Sequence, residues 1–171
     1  MIYYVDSLSN SNVDKIKILI KLLSEVKEIG LDTETNGLDP FSNQVLLLQI
    51  KAGDDTFVLN RGKLGVKTFS NTINLINRNN ILCIGHNIKF DIKMLRFDTG
   101  LWINNVYDTM VVESVLNAGL GNKYTTLLSL VEKYCSVTLE KEERLSFIDM
   151  SHESTFTENQ IMYSAKDVLY L

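Results

Sequence analysis

Cysteine and histidine are scarce in this chain: 171 residues include two of each. Two cysteines, Cys83 and Cys135, are too few for a disulfide framework or a thiolate metal site. Cys83 lies in an apolar run and reads as a reduced core residue, which points to a reducing, cytoplasmic setting. His86 has no second histidine at ligand spacing, and His152 lies in a polar stretch, so an imidazole metal centre is excluded. No apolar run approaches the roughly 20 residues of a membrane helix. Residues 1–6 lack the basic start and long apolar core of a signal peptide. Repeats, low-complexity tracts and linkers are also missing, so the chain reads as one domain, 1–171. An excess of positive charge is absent too. A net charge of −4 argues against gripping long nucleic acid by charge neutralisation alone. It leaves room for an enzyme that meets phosphates through bound cations, which reverse the local field.

What is present fits a soluble globular protein: 45% hydrophobic and 22% charged residues. Residues 1–6 predict a short strand. Ser11-Asn12-Val13-Asp14 resembles a capping box, and apolar residues at helical spacing predict a helix to about Glu28, stopped near Gly30. A strand over 29–35 and a hairpin of 45–51 with 56–59 suggest a three-stranded antiparallel unit. A helix over 67–79, a buried strand over 81–85, a helix over 88–97 and a short strand near 105–107 follow. Asp108-Thr109 caps a helix ended by Gly119 and Gly121, and Thr126 caps another that carries Leu127, Leu130, Val131 and Tyr134. Residues 139–156 are polar and aperiodic, a surface loop. Thr157 to Gln160 form a capping box for a last helix through Leu169. The pattern is one α/β domain, a meander followed by strand–helix alternation.

Three acidic motifs stand on these elements. In Gly30-Leu31-Asp32-Thr33-Glu34-Thr35-Asn36-Gly37-Leu38-Asp39-Pro40, Asp32 and Glu34 leave the same face of a strand. Two carboxylates that close repel, and a hard divalent cation with a preference for oxygen ligands relieves the conflict. In His86-Asn87-Ile88-Lys89-Phe90-Asp91, the four-residue spacing puts Asn87 and Asp91 on one helix face after a buried strand. Tyr163 and Asp167 repeat that spacing on the last helix. Each motif alone also fits solvated acids or an interface tyrosine.

The ordered set, D-x-E then N-x-x-x-D then Y-x-x-x-D, resembles the DEDDy branch of the DnaQ-like 3′–5′ exonucleases, with the RNase H-like fold. The resemblance runs from about residue 3 to the end. It is similar to the exonuclease domain of family A DNA polymerases and to RNase D, with residues 31–48 closer to the polymerase type. It implies a mixed sheet, an antiparallel meander plus parallel strands, flanked by helices. It implies two divalent metal ions, Mg²⁺ or Mn²⁺: Asp32, Glu34 and Asp167 on one, Asp32 bridging to a second, and Asp91 holding the second partly through water. Tyr163 would orient the attacking water; with an ordinary pKa of about 10 it is a hydrogen-bond partner rather than a base. His86 and Asn87 would contact the terminal nucleotide, Thr35 would contact the nucleotide near the first motif, the Phe90 ring would stack or simply pack, and Leu38 would wedge against terminal bases or else tuck onto the core as a turn leucine. Lys89, Lys93, Lys123, Lys141 and Arg144 could reach phosphates, but a solvated face is the default reading for each.

The implied substrate is the 3′ end of single-stranded or frayed DNA, with RNA the alternative of an RNase D-like enzyme. A nuclease-dead binding module is the reading from another class, disfavoured because all four acids are kept. The chain is expected to act as a monomer. Asp167 stands four residues before the last, which suggests a domain excised from a longer protein, perhaps linked to a polymerase domain.

Overall fold

A computed structural model describes residues 1–119, 125–138 and 144–171. Gly121, Lys123, Leu139 and Lys141 therefore lie outside the described residues. The centre is an antiparallel meander of β2 (Glu28–Thr35), β3 (Val45–Ala52) and β4 (Asp55–Asn60). β1 (Ile2–Val5) lies parallel to β4, β5 (Leu82–Gly85) parallel to β2, and β6 (Val106–Asp108) parallel to β5. The six-stranded order is β1-β4-β3-β2-β5-β6, a mixed sheet of the kind the motifs imply.

The pleat sorts the side chains into two cores. Leu31, Leu48, Ile50, Phe57 and Leu59 face α1 (Asn10–Glu25), α2 (Arg61–Arg78) and α3 (Lys89–Thr99), which bring Leu19, Leu23, Phe69, Ile73 and Leu95. The opposite face is covered by α6 (Glu158–Leu169), which packs on β2, β3 and β4. Leu47, Val58, Phe147 and Ala165 make the smaller core there. Cys83 is buried, and burial pushes its thiol up to about 12, so it stays protonated. Among the described residues no helix is long and apolar enough to cross a membrane.

Three local expectations need correction. The first helix starts behind Ser9, which makes no side-chain cap. Asn12, expected in a cap, turns inward and donates to Asp6 at 3.0 Å and Ser7 at 2.7 Å. The helix ends at Glu25, and Gly30 is inside β2, paired with Lys51 and Ile84. A Cβ on Gly30 would stand 3.0 Å from the Val168 carbonyl, so this glycine lets α6 close onto the strand. The second helix begins at Arg61, directly behind the Asn60 cap, and kinks at Gly65 (φ 74°). Its first turns are glycine-containing and polar, which hides them from a periodicity test.

The largest correction concerns the polar stretch before α6. Arg144–Phe147 is a 3₁₀ turn, and Phe147 is 1% exposed. Met150 and Phe156 pack with it against the smaller core. Asn36 Nδ2 donates to the Met150 carbonyl at 2.9 Å, and His152 Nε2 lies 2.9 Å from the Val45 carbonyl. Three anchors in an otherwise polar run have no period, so nothing in the sequence separates them from loop. Gly62 sets how close this segment comes: a Cβ there would sit 1.9 Å from the His152 carbonyl oxygen. Gly62→Ala is expected to cost about 1–3 kcal/mol through forced displacement. Urea unfolding checks this; unchanged stability would mean the segment does not press on α2.

α4 (Thr109–Leu116) and α5 (Leu127–Cys135) complete the fold beside β6. They are pinned by a buried acid: Glu113 accepts from Lys133 at 2.7 Å, Tyr134 at 2.8 Å and Asn117 at 2.7 Å. Glu113 is the buried residue of α4, whereas Val115 and Leu116 are 69% and 65% exposed.

Candidate active site

β2 places Asp32 and Glu34 on the face that α6 covers. Pairing across the meander sets Asp32 opposite Gln49 and Glu34 opposite Leu47. The Thr157 capping box starts α6, with the Thr157 hydroxyl on the Gln160 N–H at 3.2 Å and Gln160 Oε1 on the Thr157 N–H at 2.9 Å. From that start, Tyr163 and Asp167 fall on one face. One carboxylate oxygen each from Asp32, Glu34 and Asp167 lie within 4.8 Å of one another. Tyr163 stands beside them, its ring 6.4 Å from Phe147, so the 3₁₀ turn supports the tyrosine.

Asp91 arrives from the other side of the sheet. β5 pairs with β2 from Glu28 as far as Gly30, which leaves the β2 edge beyond it open. Asp91, in the first turn of α3, fills that gap: its Oδ1 accepts from the Thr33 N–H at 3.0 Å and from the Thr33 hydroxyl. A side chain takes the place of a missing strand. Thr33 is a residue that motif reasoning passed over; its position between two acids carries no local sign of a partner 58 residues away.

The carboxylates of this site repel one another. Asp32 is held well above the usual carboxylate range, first by burial and then by Asp91, Glu34 and Asp167. Asp91 is pushed up to about 7 by burial, against the pull of its Thr33 hydrogen bonds. Oxygen donors crowded in this way, with carboxylates that resist ionising together, suit a hard divalent cation. Among the described residues this is the cluster with such a donor set.

His86, Asn87 and Phe90 line the same cleft of about 520 Å³, together with Met110, Thr126, Leu127 and Leu145. Asn87 is not on the helix as its spacing from Asp91 predicts. It precedes α3 in a left-handed conformation, φ 56°, that asparagine tolerates. Its N–H donates to Asp108 Oδ1 at 3.0 Å, and the same oxygen caps α4 at Met110. Asp108 was legible only as a cap; its grip on Asn87 needs the fold. The Thr109 hydroxyl donates to the Gly85 carbonyl at 3.2 Å, which leaves its oxygen to accept from His86 Nδ1 at 3.0 Å. Burial lowers the His86 pKa, opposed by Asp108 and the Thr125 backbone, so the imidazole is neutral near pH 7.

Two expected contacts are not brought into the cleft. The Thr35 hydroxyl donates to the Gly37 carbonyl at 2.8 Å, inside its own loop. Leu38 is 74% exposed and lines an adjoining groove.

Residues 10–171 match a family model described as 3′–5′ exonuclease. The chain is 29% identical over 156 residues to DNA polymerase I of Aquifex aeolicus, covering 91% of this chain and 24% of that protein. It is 28% identical over 153 residues to Ribonuclease D of Zymomonas mobilis, covering 90% and 38%. The chain thus spans well under half the length of these curated relatives. Among solved structures, Brucella melitensis NrnC bound to pGG superposes with a TM-score of 0.73 at 22% identity, over 100% of this chain and 76% of that one. NrnC has also been solved with bound Mg²⁺, at a TM-score of 0.68 and 21% identity, over 99% and 74%.

Proposed function

The chain belongs to the 3′–5′ exonuclease family, and from this we propose that it removes nucleotides from the 3′ end of a single or frayed nucleic-acid strand by metal-dependent phosphodiester hydrolysis. The observation that carries the reading is the meeting of Asp32, Glu34 and Asp167 within 4.8 Å at a cleft that also holds Asp91 and Tyr163. Asp32, Glu34 and Asp167 would hold one divalent ion, Mg²⁺ or Mn²⁺; Asp32 and Asp91 would hold a second. When bound, such ions supply positive charge at phosphorus and acidify water.

The chain's own groups do the rest. Tyr163 offers a phenol beside the carboxylates, which orients the attacking water by hydrogen bonding. Asp91, fixed by Thr33 through Oδ1, lines the cleft. Asn87 and neutral His86 present polar groups to the terminal sugar and phosphate, and Phe90 offers a ring to its base. Leu38, standing out from its loop, would separate terminal bases, a step that costs a few kcal/mol and favours frayed ends.

The leading substrate is DNA. RNA is the second reading, favoured by the Ribonuclease D relative. End-labelled DNA and RNA of one sequence, each with Mg²⁺ or Mn²⁺, decide between them. The expected result is a 3′-shortening ladder that vanishes in excess EDTA. Trimming of RNA alone moves the assignment to a ribonuclease; no shortening of either strand removes the exonuclease reading.

A further inference from the structure

The loop after β2 holds apolar side chains in water, and it is not a slack loop. Asn36 Oδ1 accepts from the Gln44 N–H at 2.7 Å. Asp39 accepts from the Phe41 N–H at 3.2 Å and the Ser42 hydroxyl at 2.7 Å, and Asn43 Oδ1 accepts from the Asp39 N–H at 3.1 Å. On this pinned frame Leu38 is 74% exposed and Phe41 82%. Phe41 meets Phe97 of α3, itself 50% exposed, edge to face with ring centroids 4.4 Å apart. Single exposed apolar residues are ordinary, but a cluster on an ordered loop marks a contact surface.

The position of the cluster indicates what it contacts. A groove lined by Leu38, Pro40, Lys93 and Met94 runs beside it. Asn87 and Phe90 line both that groove and the carboxylate cleft, so the two are continuous. Lys89, Lys93 and Phe97 follow at four-residue spacing on one exposed stripe of α3. In a chain of net charge −4, two lysines beside exposed aromatic rings suit a single nucleic-acid strand, whose bases stack and whose phosphates seek positive charge.

We infer that this surface carries the strand beyond the nucleotides at the carboxylates, with bases on Phe41 and Phe97 and phosphates met by Lys89 and Lys93. The inference rests on the exonuclease reading for the strand's direction, and its test is separate.

Labelled octathymidylate and octauridylate with phosphorothioate linkages, which resist hydrolysis, are titrated with the protein in Mg²⁺ and followed by fluorescence anisotropy. Phe41→Ala with Phe97→Ala is expected to weaken octanucleotide binding by about 30-fold or more. The loss should be greater for the octanucleotide than for a phosphorothioate dinucleotide, which is too short to span the groove. Phe41→Leu with Phe97→Leu keeps the surface apolar, removes the rings, and should show the same loss. Lys93→Gln should reduce the logarithmic salt slope by about 0.7. Unchanged octanucleotide affinity in both double variants overturns the inference. So does a change from dimer to monomer in sedimentation with affinity kept, which would assign the patch to a second copy of the chain. Wild-type hydrolysis of unmodified octanucleotide tests the exonuclease reading: if hydrolysis is absent but binding depends on the rings, the surface stands and the enzyme reading falls.

Discussion

Replacing Asp32 with alanine is expected to lower hydrolysis by more than about 10³-fold, because it strips the one carboxylate assigned to both ions at the reacting phosphate. The same change should not weaken the metal-free fold. Ionisation of Asp32 is opposed by burial and by Asp91, Glu34 and Asp167. Its loss therefore relieves repulsion among the acids. Asp32→Asn, which keeps the shape, separates the two effects: activity falls similarly, while thermal unfolding in EDTA at pH 8 moves upward. Hydrolysis within tenfold of wild type in either variant would overturn the assignment of these carboxylates. Loss of activity together with a lower unfolding temperature in both would mean that Asp32 is structural.

The second large effect is a fall in metal-free stability as pH rises, reversed by Mg²⁺. A carboxyl ordinarily near 3.8 titrates at about 7 when Asp91 is folded in place. Below pH 4 it is protonated in both states, and its contribution is complete. Between 4 and 7 the unfolded chain releases the proton while the folded chain keeps it, so stability declines with pH. Asp32 acts in the same direction. His86, with its pKa lowered, acts oppositely, because the unfolded chain protonates first as pH falls. These two acids outweigh one imidazole, for a net loss on the order of a few kcal/mol between pH 5 and 8. Mg²⁺ that binds only the folded state returns about 2.7 kcal/mol at one hundred times its dissociation constant. Urea unfolding at four pH values, in EDTA and in Mg²⁺, measures both terms. Stability that rises from pH 5 to 8 in EDTA would contradict the account. A slope unaltered by Asp91→Asn would show that other groups carry it.

Much of the architecture was legible because local rules agreed with the fold. The meander followed from alternation over 29–35 and from two apolar runs, 45–51 and 56–59, either side of the Gly53-Asp54 turn, and the caps of α4, α5 and α6 from Asp108, Thr126 and Thr157. Misreadings occurred where residues act at a distance. Gly30 looks like a helix stop because glycine serves both purposes; its use against Val168 depends on α6, far along the chain. Phe147, Met150 and Phe156 look like loop residues because their core is assembled by other segments.

The candidate site divides along the same line. By itself the sequence determined the acids, their order, and which of them share a face, since strand and helix periods are local properties. That sufficed for Asp32 beside Glu34 and for Tyr163 beside Asp167. Only the tertiary structure decided that the pairs meet, because distances between elements follow from packing. It decided that Asp91 reaches β2 through the Thr33 edge left open where β5 stops. It turned Thr35 into its own loop and left Leu38 in water beside Phe41. A motif records which groups are available; burial and the mutual repulsion of carboxylates, which make this cluster fit for a cation, exist only once the chain has closed around them.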